Sequence, residues 1–206
     1  IPLFMGFSFI AMIIIFWMGG FPIAAAMVFA TVLILTTFLL GAIAVRVMGE
    51  TGIEPVSGTS FIVLLMLLGL FLNYGDFFGL SKEEAILIAL VGTTVFGSAI
   101  SMSGTVVADY KNSLYIGNRP YHISKGNIMG VVPGAILGAG MAIFLSDLLA
   151  DGTIDLLAPQ ANAFAGFTVM LAEGQGNLSA LLFGFLLGAF IEWVTGMGTS
   201  FGLGMY

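Results

Sequence analysis

Two carboxylates, Glu50 and Glu54, lie in a stretch of the chain that an α-helix cannot cross undisturbed. Between residues 46 and 58 a breaker recurs every three positions: Gly49, Gly52, Pro55 and Gly58. Glycine weakens a helix, and proline removes a backbone donor and clashes with the preceding turn. Strongly apolar runs, 22–45 and 61–72, lie on either side. Because charge and a broken backbone are both costly in hydrocarbon, their coincidence indicates a functional site.

The chemistry available to such a stretch is proton or cation handling. A carboxyl group that is removed from water binds a proton more readily, as a proton carrier must. We therefore predict that Glu50 and Glu54 handle protons or cations, and that Thr51 and the exposed backbone of Gly52 contact a substrate. Broken helix ends can hold a zwitterion, because helix N-termini attract carboxylates while acids and carbonyls attract amines. An ordinary polar loop between two membrane helices is the alternative.

The composition is that of a membrane protein. Of the 206 residues, 59% are hydrophobic and 8% are charged, and the mean hydropathy is +1.13, whereas soluble domains are about 25% charged. Solid apolar runs predict an all-α, polytopic helical bundle with broken or re-entrant helices, rather than the alternating strands of a barrel. We predict one transmembrane domain over residues 1–206, multi-pass in the cell membrane and part of a larger protein. Its expected spans are 3–18, 22–46, 56–74, 85–106, 126–146, 156–172 (spanning or re-entrant) and 178–195.

Several kinds of chemistry have no residues to support them. The sequence has no cysteine, a single histidine (His122) and no P-loop, so we expect no disulfide, no metal site, no ATP hydrolysis and no cofactor. Serine-rich segments lack a neighbouring base, and we therefore expect no enzyme. Five Lys and Arg in a chain of net charge −6 argue against nucleic-acid binding.

Charge also predicts sidedness. The segment 109–125 contains Lys111, Arg119 and Lys125, and the positive-inside rule places it in the cytoplasm as a loop. The acidic segment 146–155 fits the opposite side. Between two spans, Ser81 followed by Glu84 predicts a capping box.

Small residues recur at four-residue intervals in two predicted helices and should form grooves for helix packing: Gly126, Gly130, Gly134 and Gly138 in one, Gly184 and Gly188 in the other. Glu192 continues the second series, so it either faces protein as a site residue or lies at the headgroups beside Trp193.

Gln160 and Glu173 are further candidates for the substrate or ion pathway. The small, hydroxylated segment 97–105 reads as either close-packed or pore-facing. Three hydroxyls after the break should satisfy backbone donors there: Ser57, Thr59 and Ser60.

Four segments, residues 49–56, 103–117, 158–161 and 201–206, match short motifs in order, and the family they resemble is that of the oligopeptide transporters. Residues 49–56 read GETGIEPV and resemble the GETGINPVG signature. Residues 103–117, SGTVVADYKNSLYIG, are similar to the gDlmqDlKtGyllGa stretch, and residues 158–161 read APQA as in PAPQA. Residues 201–206, FGLGMY, resemble the GLYLP region. The chain departs from the family at Glu54, where Asn is usual, and at 117–120, where a small-residue run is usual.

The resemblance implies the C-terminal portion of an α-helical, proton-coupled symporter for small peptides or, in the yellow stripe-like branch, metal–chelate complexes. Its partners would be the lipid bilayer, the substrate and the remaining part of the same transporter, with homo-oligomerisation left open. A passive channel, or a membrane scaffold whose glycine stripes only pack helices, is the alternative function.

Overall fold

The computed structural model describes residues 2–52, 54–152, 159–174 and 178–195. This part of the chain is helical and contains no strand, which confirms the predicted all-α class. The helices are α1 (Pro2–Met18), α2 (Ile23–Thr51), α3 (Val56–Phe78), α4 (Lys82–Tyr115), α5 (Pro120–Ala150), α6 (Pro159–Ala172) and α7 (Leu178–Thr195). Four of them, α2 to α5, are long and apolar enough to cross a membrane.

The helices continue beyond the apolar runs that predict them. Helix α2 runs through Arg46 to Thr51, and α4 has 34 residues, a length of about 51 Å against about 30 Å of hydrocarbon. The segment 109–125 is therefore not a loop, because α4 and α5 occupy most of it and only 116–119 connect them. Hydropathy detects the part of a helix that lies in lipid, whereas the backbone stays helical until a capping residue ends it.

The start of α4 has the predicted capping box. The Ser81 backbone N–H donates to Glu84 Oε2 over 2.7 Å, and the Glu84 N–H donates to Ser81 Oγ over 3.3 Å. Two backbone donors that the helix itself cannot satisfy are thereby paired reciprocally.

Removing this cap should cost measurable stability. We expect Ser81→Ala to lower the free energy of unfolding by about 1 kcal/mol, as loss of an N-cap does elsewhere. Titration with a denaturing detergent measures it. Ser98→Ala is the matched control, since Ser98 is an exposed serine of the same helix whose hydroxyl bonds only to the Thr94 carbonyl one turn back. Equal destabilisation by both substitutions would contradict a role for the cap.

The chain divides into two compact units, residues 1–104 with 163–206, and residues 105–162. In the first unit α4 lies along both α2 and α3. A Cβ placed on Gly92 would meet Phe29 of α2 and Leu67 of α3, and one placed on Gly104 would meet Met48 near the end of α2. These contacts make α4 parallel to α2. A further contact of Gly97 with Ser60 makes α4 antiparallel to α3.

The core of this unit is a set of almost fully enclosed apolar side chains along α1 to α4, whose largest members are Phe29, Phe71, Phe96, Leu64 and Leu67. The outward faces are equally apolar, with Phe77 83% exposed. In a membrane protein such faces meet lipid, which is as apolar as the core. Close helix packing in this unit is therefore organised by shape more than by hydrophobicity.

The second unit contains a helical hairpin made of the end of α4 and α5. Gly117 has a φ of +72°, and the Asn118 N–H donates to the Ser113 carbonyl over 2.9 Å, which ends α4. A hydrogen bond between the hydroxyls of Tyr110 and Ser124 joins the two helices. The connection is tight, so the two helix ends that carry the basic residues lie side by side.

Candidate functional site

The helix interruption predicted between residues 46 and 58 is a short turn, and it joins two helices that run in opposite directions, since α4 is parallel to α2 and antiparallel to α3. Each of the two helices is long enough to cross a membrane, so the turn connects two helices and does not divide one. Helix α2 continues past Gly49 and ends at Thr51, followed by Gly52 at φ +73°. The Gly52 N–H donates to the Met48 carbonyl over 2.8 Å. A left-handed residue at this position closes the helix, and only glycine adopts it without a steric cost. Pro55 then precedes α3, so residues 52–55 separate the two helices; Ile53 lies outside the described residues.

Pro55, the N-cap residue of α3, makes no side-chain hydrogen bond to the N-terminus of the helix. The Thr59 hydroxyl instead donates to the Pro55 carbonyl over 2.7 Å and to the Val56 carbonyl over 3.2 Å. The prediction that hydroxyls after the break satisfy backbone donors is therefore wrong for Thr59, because a hydroxyl inside a helix turns back to the carbonyl one turn earlier. The first amides of α3 keep the partial positive charge of a helix N-terminus.

Glu54 is the side chain that connects the break to α4. It is half-buried, and its Oε2 accepts a hydrogen bond from Ser101 Oγ over 3.0 Å. Its Oε1 lies 2.8 Å from the position that a Cβ on Gly104 would take, and Met48 Sδ lies 2.7 Å from the same position. The carboxylate therefore packs against the turn of α4 from Ser101 to Gly104. It occupies space that would be filled by a side chain if residue 104 were not glycine.

Gly97, Ser101 and Gly104 share one face of α4, and Ser60 meets the far end of this face. A Cβ on Gly97 would lie 3.0 Å from Ser60 Oγ. Ser60 is 3% exposed, and its hydroxyl oxygen is buried without a hydrogen-bond partner. An unpaired buried hydroxyl costs about 1–3 kcal/mol, so this group is available to a water or substrate atom that can reach it.

The space at Gly104 leads to a prediction about the transport that the four sequence motifs imply, rather than about stability. In Gly104→Ala the added methyl would displace Met48 Sδ and the Glu54 carboxylate, both at the flexible ends of side chains. Because these ends can move, we expect the free energy of unfolding to change by less than about 1 kcal/mol. The Glu54–Ser101 hydrogen bond should break, and uptake should fall by between about tenfold and a hundredfold, as misplaced functional groups do in enzymes.

Gly69→Ala is the control, because Gly69 is also inside a helix but an added Cβ there meets no atom within 4 Å. Uptake by the purified, reconstituted variants is measured beside their unfolding in detergent. If Gly104→Ala transports as well as Gly69→Ala, the carboxylate does not need its place on α4.

A short helix packs against the first turns of α3, close to the break. The ring of Phe61 lies 6.1 Å from that of Phe164 and 4.7 Å from that of Phe167, both on α6. Thr168 of α6 is buried, 3% exposed. With 14 residues α6 is about 21 Å long, too short to cross the hydrocarbon. Apolar rings therefore lie beside α3, whose first residue, Val56, is two positions after Glu54.

The remaining predicted site residues lie at the ends of α2 and α6 and on α7. Glu50 and Thr51 belong to the last turn of α2 and Gln160 to the first turn of α6, but their side chains lie outside the described part of the structure. Glu173 is exposed just after α6, and Glu192 is half-buried on α7. The structure thus joins Glu54 to residues that were not predicted as its partners, Ser101 and Gly104. Only their location in the small, hydroxylated segment 97–105 indicated them.

The regular glycine stripes are not where the close contacts occur. Among the described residues, no atom lies within 4 Å of a Cβ added to any of them: Gly126, Gly130, Gly134, Gly138, Gly184 or Gly188. Their packing role stays a prediction. The described ranges also contain no group of three or more His, Cys, Asp or Glu side chains that could hold a metal ion.

Comparison with known proteins identifies the family. A family model described as OPT oligopeptide transporter protein matches residues 2–197, which include the α2–α3 turn, Ser101, Gly104 and α6. No curated protein matches the chain, and no solved structure matches it either. The match covers nearly the whole sequence and confirms the family that the four motifs resemble. The chain therefore belongs to the OPT oligopeptide transporter family.

Proposed function

We propose that this chain carries the transport site of a proton-coupled symporter that takes up small peptides or metal–chelate complexes through the cell membrane. Family membership indicates membrane transport of oligopeptides; the proton, the range of substrates and the site are the proposal. The observation that supports it most directly is the half-buried Glu54 carboxylate, which accepts a hydrogen bond from Ser101 in the turn between two helices that are long enough to span a membrane. A half-buried acid that faces protein between spanning helices is a candidate for an ion or substrate pathway.

The arrangement favours one order of events. The N-terminus of α3 attracts negative charge, and Glu54 stands two residues before its first residue, Val56. A substrate carboxylate that approaches this N-terminus meets the charge of Glu54, and protonation of Glu54 removes that repulsion. Binding of the proton therefore assists binding of the substrate, and their free energies are coupled reciprocally. The substrate amine then faces the carbonyl end of α2, and its apolar side chains face the rings around Phe61.

The experiment uses the complete transporter in proteoliposomes, with a radiolabelled tetrapeptide and a radiolabelled metal–amino acid chelate as probes. We expect at least one probe to accumulate above its outside concentration when the outside is acidic, and a protonophore to abolish the accumulation. Equilibration without accumulation, together with a current proportional to voltage, would establish a passive channel instead. If neither probe shows saturable uptake, the chain is a membrane scaffold whose glycines only pack helices.

A further inference from the structure

The most basic surface of the chain lies at the tip of the α4–α5 hairpin. Residues 111–125, here called the basic tip, include three of the five Lys and Arg residues and no acid, whereas the whole chain has a net charge of −6. The three cations are Lys111, Arg119 and Lys125, and all are exposed. The basic tip is therefore positively charged although the whole chain is negatively charged, and an anionic partner complements the tip.

The hairpin geometry brings these cations together. Tyr110 and Ser124 are hydrogen-bonded across the two helices, so Lys111 and Lys125, which follow them directly, lie at about the same level. Arg119 is in the connection just beyond, at the start of α5. The nearest acid along the chain, Asp109, is two residues from Lys111, and residues with this spacing do not face each other on a helix. The basic tip is thus a cluster on one end of the hairpin.

Exposed aromatic and apolar side chains surround the cations. Tyr115 is 77% exposed, Tyr121 70% and Ile116 78%. One turn after Lys125 the apolar surface of α5 begins, with Ile128 71% exposed. Tyrosines next to lysines and arginines at the end of an apolar span are typical of the headgroup level of a membrane, where the rings and the charges both find suitable surroundings.

We propose that the basic tip binds the phosphate groups of anionic phospholipids. Both helices that form it are long and apolar enough to span a membrane, and the tip lies beyond the apolar part of each, where lipid headgroups are expected. Its three cations match phosphates, while its exposed tyrosines and isoleucine match the boundary of the acyl chains. The proposal does not depend on the transported substrate or on the role of Glu54.

The test uses the chain in a neutral detergent and two short-chain lipids, dihexanoyl phosphatidylglycerol and dihexanoyl phosphatidylcholine, with binding measured by titration calorimetry. We expect phosphatidylglycerol to bind more tightly. Three single variants each remove one cation: Lys111→Gln, Arg119→Gln and Lys125→Gln. Each should weaken phosphatidylglycerol binding by about fivefold, the effect of one cation near an anionic surface. Phosphatidylcholine binding should not change. Higher ionic strength should weaken phosphatidylglycerol binding to the unmodified chain as well, a measurement that needs no variant.

Lys82→Gln is the matched control, since Lys82 is an exposed lysine at the opposite end of α4 with two acidic neighbours, Glu83 and Glu84. Equal binding of the two lipids, or a loss in Lys82→Gln as large as in Lys125→Gln, would overturn the proposal. Inorganic phosphate that binds as tightly as phosphatidylglycerol would also overturn it, because the tip would then be a site for free phosphate rather than for lipid.

Discussion

Replacing Glu54 by glutamine is expected to abolish proton-driven accumulation of substrate while exchange of labelled for unlabelled substrate continues. Glutamine keeps the shape of the side chain and can still accept the hydrogen bond that Ser101 donates to Glu54 Oε2. It cannot bind or release a proton in this range of pH. Loss of a positioned proton-transfer group costs about 10²–10⁴-fold in enzymes, so we expect accumulation to fall by at least about a hundredfold.

The measurement is uptake and proton flux in proteoliposomes, with exchange assayed at equal substrate concentration on both sides. Asp76→Asn is the control, because Asp76 is an exposed acid on α3 away from the break. Glu50→Gln is made in parallel, since both acids of the broken stretch are candidates for the proton. If coupling is unchanged in Glu50→Gln and in Glu54→Gln, neither carboxylate carries the proton.

Gly92→Ala is expected to destabilise the first unit more than any other glycine substitution in its helices. A Cβ at this position would lie 2.6 Å from Leu67 Cδ1 and 2.6 Å from Phe29 Cε2. Both side chains are at most 1% exposed, so neither can move away without disturbing the core. Overpacking of a filled core costs about 1–3 kcal/mol. Alanine recovers up to about 1 kcal/mol through its higher helix propensity, and we expect a net loss of about 1–2 kcal/mol.

Gly69→Ala again provides the comparison, because it has the same gain in helix propensity and no atom within 4 Å of the new methyl group. It should stabilise the protein slightly in the same detergent titration. A double variant, Gly92→Ala with Phe29→Leu, should recover part of the loss by shortening one of the two obstructing side chains. Equal stabilities of Gly92→Ala and Gly69→Ala would show that three helices do not meet as closely as the structure has them.

Features that depend on neighbouring residues along the chain were predictable. Gly52 and Pro55 indicate a helix break because each acts on its own backbone, and the Ser81–Glu84 pair predicts a cap because both partners lie within one turn. The extent of the helices was less predictable. Hydropathy gives the apolar part of α4, yet the helix continues to Tyr115, because polar residues do not end a helix without a cap.

Contacts between helices could not be predicted from local sequence patterns. Glycines four residues apart in α5 predict packing, whereas among the described residues the close contacts use Gly92, Gly97 and Gly104, whose spacing is irregular. Which side of α4 faces α2 and α3 depends on the fit of all their side chains. In a chain that is apolar on every face, hydrophobicity does not distinguish one side from another.

The sequence by itself determined that the protein is an all-helical membrane protein with an interruption of helix and an acid between residues 46 and 58, and its motifs determined the family. These properties follow from apolar run lengths, from backbone restrictions of glycine and proline, and from short local patterns. Only the tertiary structure decided that Glu54 contacts α4, paired with Ser101 in the space left by Gly104, and that Ser60 meets Gly97 one turn before Ser101. The reason is physical: a side chain finds its partner through the rotation and approach of whole helices, and residues 54 and 101 share no local signal.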